Sequence, residues 1–333
     1  MKLNQLRPTL IYLVPFILIA CGSGNQLVTP NNTFDPGPQW GQQIGTSLGV
    51  EATDSLALDS VHNLIYKMAA NQQLCTISAQ ASATTEWDCL TVRNKLPAGL
   101  ILTTKNVASD TLGNIYTFAT NSARTQYYLL KYDGITWSQQ LISGLPAQFN
   151  TAHFNNIFID GTSIYASTSL GMSHSRYINS LVAINPANGA YLNQIIIENL
   201  AQAVAGTNAS ISNGTLYLAD GARVQAIELA KPTTITPLGA LGATAAVAAN
   251  ATSLFACGSI NVAKGSNIFQ ASLNQGSATA WKSIGYTLAS KVKAGTYYRG
   301  CNQVTTSMNS DQVYVLGWTE DTTQSYAVYA RPK

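Results

Sequence analysis

The chain has 333 residues, 46% of them apolar and only 10% charged, with 18 Lys and Arg against 15 Asp and Glu. A formal charge of +3 thinned over that length makes no basic stripe, which argues against nucleic acid as a partner. The same scarcity leaves a surface of Ser, Thr, Asn and Gln, and few ionisable groups from which an acid–base site could be assembled.

Residues 1–20 read as an export signal: Lys2 and Arg7 precede an apolar run from Leu10 to Ala20 that ends in small residues. That run is 11 residues long and contains Pro15, short of the roughly 20 residues a membrane span needs. Its last part, Leu18-Ile19-Ala20-Cys21, resembles the lipobox of bacterial lipoproteins. The resemblance implies cleavage before Cys21, acylation of Cys21, and a mature chain anchored to a membrane. Gly22 stands where an aspartate would signal inner-membrane retention, so the implied address is the outer membrane, facing the periplasm. Residues 21–37 are mostly Gly, Ser, Asn, Thr and Pro, too polar to pack, and read as a flexible tether. Residues 38–333 remain for a folded domain large enough for one sizeable core.

That domain is built on a repeat in which a small polar turn leads into an apolar strand carrying an aromatic residue. It runs Asp59-Ser60-Val61-His62-Asn63-Leu64-Ile65-Tyr66, then Asp110-Thr111-Leu112-Gly113-Asn114-Ile115-Tyr116, then Asp160-Gly161-Thr162-Ser163-Ile164-Tyr165. It returns at Ser212–Ala219 around Tyr217, at Asn250–Phe255, and at Asn309–Tyr314. The anchors Tyr66, Tyr116, Tyr165, Tyr217, Phe255 and Tyr314 are spaced 50, 49, 52, 38 and 59 residues apart. Such spacing predicts an all-β chain folded as a six-bladed β-propeller with four strands per blade. The anchors themselves read as packing between blades, not as a ligand cage.

Candidate strands fill each unit in order. One lies ahead of the anchor (Ser55–Leu58, Asn156–Ile159) and one after it (Tyr127–Tyr132, Leu181–Ile184). Turns at Asp133-Gly134 and Asn188-Gly189 then introduce a fourth strand, marked in several units by Trp87, Trp137 or Trp281. After Tyr314 there is room for only one more strand, Ser325–Ala330, while Gln39–Ile44 looks like a fourth strand with no unit before it. The ring is therefore expected to close by pairing the strand around Trp40 with the strand around Val328. That leaves the outer strands as short, protected edges.

Besides Cys21, four cysteines remain, an even number in an exported chain, which suggests disulfides with three connectivities open. Cys75 and Cys89 are symmetric about a polar loop and would face each other across the third and fourth strands of the first blade. Cys257 and Cys301 would meet between the last two blades. No pair has metal-ligand spacing with a neighbouring His, so no metal site is read. His62, His153 and His174 are scattered; His153 and His174 would need one face of the ring, with Asp160 or Asp220, to make a site. Neither a nucleophile elbow, nor a phosphate loop, nor a zinc-protease motif occurs. The sequons at Asn31, Asn208, Asn213 and Asn250 read as incidental.

Leu181-Val182-Ala183-Ile184-Asn185-Pro186-Ala187-Asn188-Gly189 resembles the strand-and-turn of pyrroloquinoline-quinone-type propeller repeats, shared by non-enzymatic outer-membrane assembly lipoproteins. It departs at Asn185 and Asn188 and lacks the Trp after the turn, so no cofactor is carried over. The double glycines of kelch repeats are missing, and Trp87-Asp88 does not recur. With no catalytic, cofactor or metal residues legible, the expected function is a non-catalytic interaction or scaffold subunit. It would be anchored at Cys21, with protein partners in a cell-envelope complex such as a secretion or protein-assembly machine. The alternative is an enzyme, or a small-ligand or carbohydrate binder, with its site in the central funnel.

Overall fold

The structure is a computed structural model. It describes residues 37–332, apart from 48–49, 52–53, 69–72, 90–95, 105, 147–153, 162, 222, 242–243, 259–265, 275–276, 279–280, 288–300, 308–310 and 319–325. The expected signal, Cys21 and nearly all of the tether lie outside these residues, as does His153.

The described elements are all strands. β1 (Gln42–Ile44) comes first and belongs to the last blade. Blade 1 is β2 (Leu56–Asp59), β3 (Leu64–Met68) and β4 (Leu74–Ser78). Blade 2 holds β5 (Leu100–Leu102), β6 (Ala108–Ser109), β7 (Ile115–Asn121), β8 (Tyr127–Tyr132) and β9 (Trp137–Leu141). Blade 3 is β10 (Asn156–Asp160), β11 (Ser163–Ser173), β12 (Arg176–Ile184) and β13 (Tyr191–Leu200). Blade 4 is β14 (Ala209–Ser212), β15 (Thr215–Ala219), β16 (Arg223–Glu228) and β17 (Ile235–Ala240). Blade 5 is β18 (Ala246–Ala249), β19 (Ser253–Gly258), β20 (Ser266–Asn274), β21 (Ser277–Ala278) and β22 (Lys282–Thr287). Blade 6 is β23 (Gln303–Thr306), β24 (Val313–Trp318) and β25 (Tyr326–Ala330), completed by β1. The chain folds as a six-bladed β-propeller, with every anchor aromatic on the second strand of its blade.

The second strands read as unbroken apolar runs because both of their faces are buried between neighbouring blades. On β15, Leu216 and Leu218 pack with Phe158 and Leu181 of blade 3. Tyr217 and Ala219, on the other face, pack with Val247 and Leu254 of blade 5. The same alternation makes six apolar clusters, one at each seam.

The ring closes through β1, whose Gln42, Gln43 and Ile44 pair with Ala330, Tyr329 and Val328. Trp40 is not part of that ladder. Its backbone N–H donates to Tyr286 O (2.8 Å) and its indole N–H to Ile284 O (3.2 Å), both on β22 of blade 5. The closing segment thus grips two blades, and Trp40 lies buried in the seam between them. Trp281 donates in the same way to Leu238 O on the outer strand of blade 4, and Trp87 to Thr46 O just past β1. At two of these contacts the indole lies on a glycine with positive φ, Gly239 (134°) or Gly285 (140°), where the ladder shifts register.

Two expectations need correction. Blade 1 has no full fourth strand among the described residues: its outer position is one bridge, Thr76 to Asp88, beside the Cys75–Cys89 disulfide. The outer strands are also not uniformly short, since β13 runs ten residues.

Candidate functional site

The innermost strands β2, β6, β10, β14, β18 and β23 surround a central channel with about 100 Å³ of space for water. Adjacent innermost strands do not share a ladder, so their outward backbone groups need other partners. Side chains supply them. The Val107 N–H donates to Ser55 Oγ (3.3 Å) across blades 1 and 2, and the Leu56 N–H to Gln303 Oε1 (3.0 Å) across blades 1 and 6. Asn106 Nδ2 donates to Asn155 O (3.0 Å) between blades 2 and 3. Asn156 serves the next seam, donating to Val204 O (3.0 Å) and accepting from Gly206 N (2.6 Å). The Ala249 N–H reaches Ser210 Oγ (3.0 Å) between blades 4 and 5. The remaining seam, between blades 5 and 6, carries the Cys257–Cys301 disulfide. Ser, Asn and Gln on this wall therefore act as stitches. The lining residues are otherwise Ala, Val, Ile, Leu, Phe, Gly and Thr, and the described ones include no Asp, Glu, Lys, Arg, His or Cys.

The acidic residues of the repeat sit at the turn between first and second strands, where they cap backbone amides. Asp59 Oδ1 accepts from Val61 N (2.9 Å) and His62 N (3.0 Å), and His62 Nδ1 lies 2.7 Å from Asp59 Oδ2. Asp110 accepts from Leu112 N, Asn114 N and the Tyr116 hydroxyl; burial first, and then this carboxylate, hold the phenol well above its usual range. Asp160 reaches across a seam to Asn213 N (2.9 Å) and Gly214 N (2.6 Å) in the matching turn of blade 4. Ser212 continues the chain of contacts to Asn250 O of blade 5 (3.0 Å). The repeated polar turn is thus structural, and in blades 3, 4 and 5 it ties each blade to the next.

This arrangement separates His174 from Asp160, and His153 lies outside the described residues. His174 is at the tip of the β11–β12 hairpin, while Asp160 lies at the opposite end of β11, roughly 30 Å away at 3.3 Å per residue. Asp220 is engaged in its own turn with Arg223 N (2.8 Å). Among the described residues no cluster of three or more metal-ligating side chains occurs.

One ion pair escaped the sequence reading. Asp54 Oδ2 and Lys67 Nζ lie 3.1 Å apart with both side chains almost fully buried, and the ammonium stands 5.4 Å from the Trp87 ring centre. Burial pushes the Asp54 carboxyl up, against the pull of Lys67. The legible signal was a lysine in the middle of Leu64-Ile65-Tyr66-Lys67-Met68, at a position whose strand neighbours face the core.

The face that bears the polar turns carries an apolar display in blades 1 and 2. Val61, Leu112 and Ile135 are 56%, 72% and 69% exposed. Each donates its N–H to the Asp two residues before it, at 2.9 Å in all three turns. The amides of Thr136 and Ile135 hold the Asp133 carboxyl below its usual range. Turns between strands one and two and between strands three and four lie at the same end of a blade, so the three tips share a face. The equivalent position in blade 5 is Thr252, and Asn185 holds Ala187 in the third-to-fourth turn of blade 3.

No protein-family model matches the chain, and no curated protein does. Among solved structures it is similar to a gluconolactonase from Xanthomonas campestris at 10% identity, over 89% of this chain and 88% of that one, with a TM-score of 0.47. It is similar to BamB from Moraxella catarrhalis at 9% identity, over 84% and 82%, with a TM-score of 0.35. A chain of a nidogen/laminin complex matches at 16% identity, over 70% and 83%, with a TM-score of 0.42. At these levels the likeness is one of propeller fold and carries no activity or partner to this chain.

Proposed function

We propose that this protein is a lipid-anchored propeller of the outer membrane, facing the periplasm, that works as an interaction subunit of a cell-envelope complex. The observation that carries the reading is the central channel. A propeller enzyme needs reactive or ionisable groups converging where the blades meet. Here the described wall carries no charged side chain, histidine or cysteine, and several of its amides and hydroxyls stitch one blade to the next. The display of Val61, Leu112 and Ile135 supplies what the channel lacks: solvated apolar side chains held by pre-formed turns, so that docking on them orders little new backbone. The anchor rests on the Leu18–Cys21 motif and the polar segment behind it.

The test is purification from native membranes in gentle detergent, with the wild type beside Val61→Asp/Leu112→Asp/Ile135→Asp. A stoichiometric partner present with the wild type and lost from the variant, at unchanged melting midpoint, is the expected result. Recovery of the wild type alone would overturn the scaffold reading. For the anchor, palmitate labelling is expected to vanish in Cys21→Ala, and labelling that survives the substitution refutes lipidation there.

A further inference from the structure

The outer edge of a propeller blade exposes a row of backbone groups, and edges of this kind are usually blunted. Most edges here are. The outer position of blade 1 is a single bridge beside a disulfide. The end of β9 is covered by the next blade, where Gln140 Nε2 donates to Ala187 O (2.9 Å) and Ser143 bridges Ala190. β17 contains Pro237 and the Gly239 register shift. β22 is covered by residues 38–40, and β1 is three residues long.

β13 is different. It runs ten residues without Pro or Gly and carries one charge, Glu198; beyond its first residue, whose N–H donates to Ser143 O of blade 2 (2.9 Å), it pairs with β12 alone among the described strands. Leu192 and Ile196 are 51% and 47% exposed. Its sequence from residue 192 to residue 200 is Leu-Asn-Gln-Ile-Ile-Ile-Glu-Asn-Leu, a palindrome about Ile196 broken only by Gln194 against Glu198. We propose that β13 is a self-association edge, on which a second copy of this chain adds its own β13 antiparallel about a two-fold axis at Ile196.

An antiparallel two-fold pairing sets each residue opposite its mirror position, so a palindrome meets itself like for like. Ile196 faces Ile196 of the partner subunit, Ile195 faces the partner's Ile197, and Asn193 faces the partner's Asn199. Gln194 faces the partner's Glu198, an amide donor against a carboxylate, and the two glutamates are kept apart. Shifting the axis to Ile197 would instead set Glu198 against isoleucine. Regular backbone on both strands is confined to the centre of this pairing, Ile195–Ile197. The register of β13 against β12 shifts near Leu192 and again between Ile197 and Leu200, where Asn199 has φ 63°. These irregularities frame a regular stretch, Asn193–Ile197, around the three isoleucines. One added strand is smaller than a standard interface of about 1,600 Å² in total, so the dimer should form across the micromolar range and not at nanomolar concentration.

The experiment uses the full chain in detergent. Sedimentation velocity is expected to show a monomer–dimer equilibrium that Ile196→Lys abolishes, because two ammonium groups would then face each other, with the melting midpoint unchanged. Should that variant fail to fold, Ile196→Cys decides. Directly opposed side chains have Cβ atoms about 4.5–5.5 Å apart, so mild oxidation should give a covalent dimer on a non-reducing gel, while Ile135→Cys, on the exposed tip of another blade, should not. A wild type monomeric throughout the micromolar range overturns the proposal. So does a dimer that persists in folded Ile196→Lys, or equal cross-linking from the two cysteine variants.

Discussion

Trp40 decides how the ring is held shut, and Trp40→Ala tests it. The side chain is 1% exposed and packs with Phe255, Val313 and Val315 in the seam between blades 5 and 6. Truncating a buried tryptophan to alanine costs about 3–5 kcal/mol. Ile284 O also loses its indole donor, worth about 1 kcal/mol more if water does not replace it. At about 2–4 °C per kcal/mol for a somewhat smaller domain, the melting midpoint should fall by roughly 6–15 °C. Trp137→Ala is the control, because Trp137 is half-buried and its indole N–H has no protein partner. Its loss should be clearly smaller. A second pair of melts separates the tether from the closure: removing residues 1–37 should leave the midpoint nearly unchanged, and removing residues 1–46 should collapse it, since β1 and Trp40 go together. Calorimetry or circular dichroism reads both. A Trp40→Ala midpoint equal to wild type, or equal midpoints for the two truncations, would refute closure through this segment.

Strand content and ring size were legible because they rest on local chemistry: a polar turn, then an apolar strand buried on both faces. Tyr127–Tyr132 matches β8, and Ser325–Ala330 matches β25 over all its described residues. What the sequence could not show is which neighbour each side chain serves. Trp40 was read with the strand it precedes, yet its indole crosses the seam to β22, as Trp281 crosses to β17. Asp160 looks like any turn-capping acid, and only the fold brings it to Asn213, 53 residues on. Lys67 stood out inside an apolar strand, but nothing local to it names Asp54, 13 residues earlier, as its buried partner. The single bridge that marks the outer position of blade 1 among the described residues is a tertiary matter too, set beside the Cys75–Cys89 disulfide. In and beside the channel, Gln303, Ser55 and Asn156 are partners of the backbone of neighbouring blades, a role that residue type alone does not reveal.

Gly239→Ala should destabilise the domain by about 1–3 kcal/mol in a denaturant melt, since φ is 134° there and a Cβ would lie 2.9 Å from Trp281 Nε1; no change would mean that the indole contact is not tight. Non-reducing peptide mapping should recover Cys75 joined to Cys89 and Cys257 joined to Cys301, and free thiols at both members of a pair would remove that bridge. Opening the first of these, which closes a 14-residue separation, should cost about 3 kcal/mol in the chain-entropy model. The buried ion pair makes the sharpest demand. Lys67→Met leaves Asp54 without its cation and should cost about 3–5 kcal/mol near neutral pH, whereas Asp54→Asn/Lys67→Met should recover most of that loss. The pH dependence has a definite sign. Burial raises the Asp54 pKa above 3.8 in the folded state, so the folded chain holds that proton more tightly than the unfolded chain does. The stabilising contribution of protonation is full below 3.8 and is lost as the pH rises through the folded value. The stability of the wild type relative to Asp54→Asn should therefore increase as the pH falls from neutral towards 3.8. Denaturant melts of the two proteins across that range read the difference directly, and a difference that shrinks on acidification would show that attraction to Lys67, and not desolvation, sets the Asp54 charge.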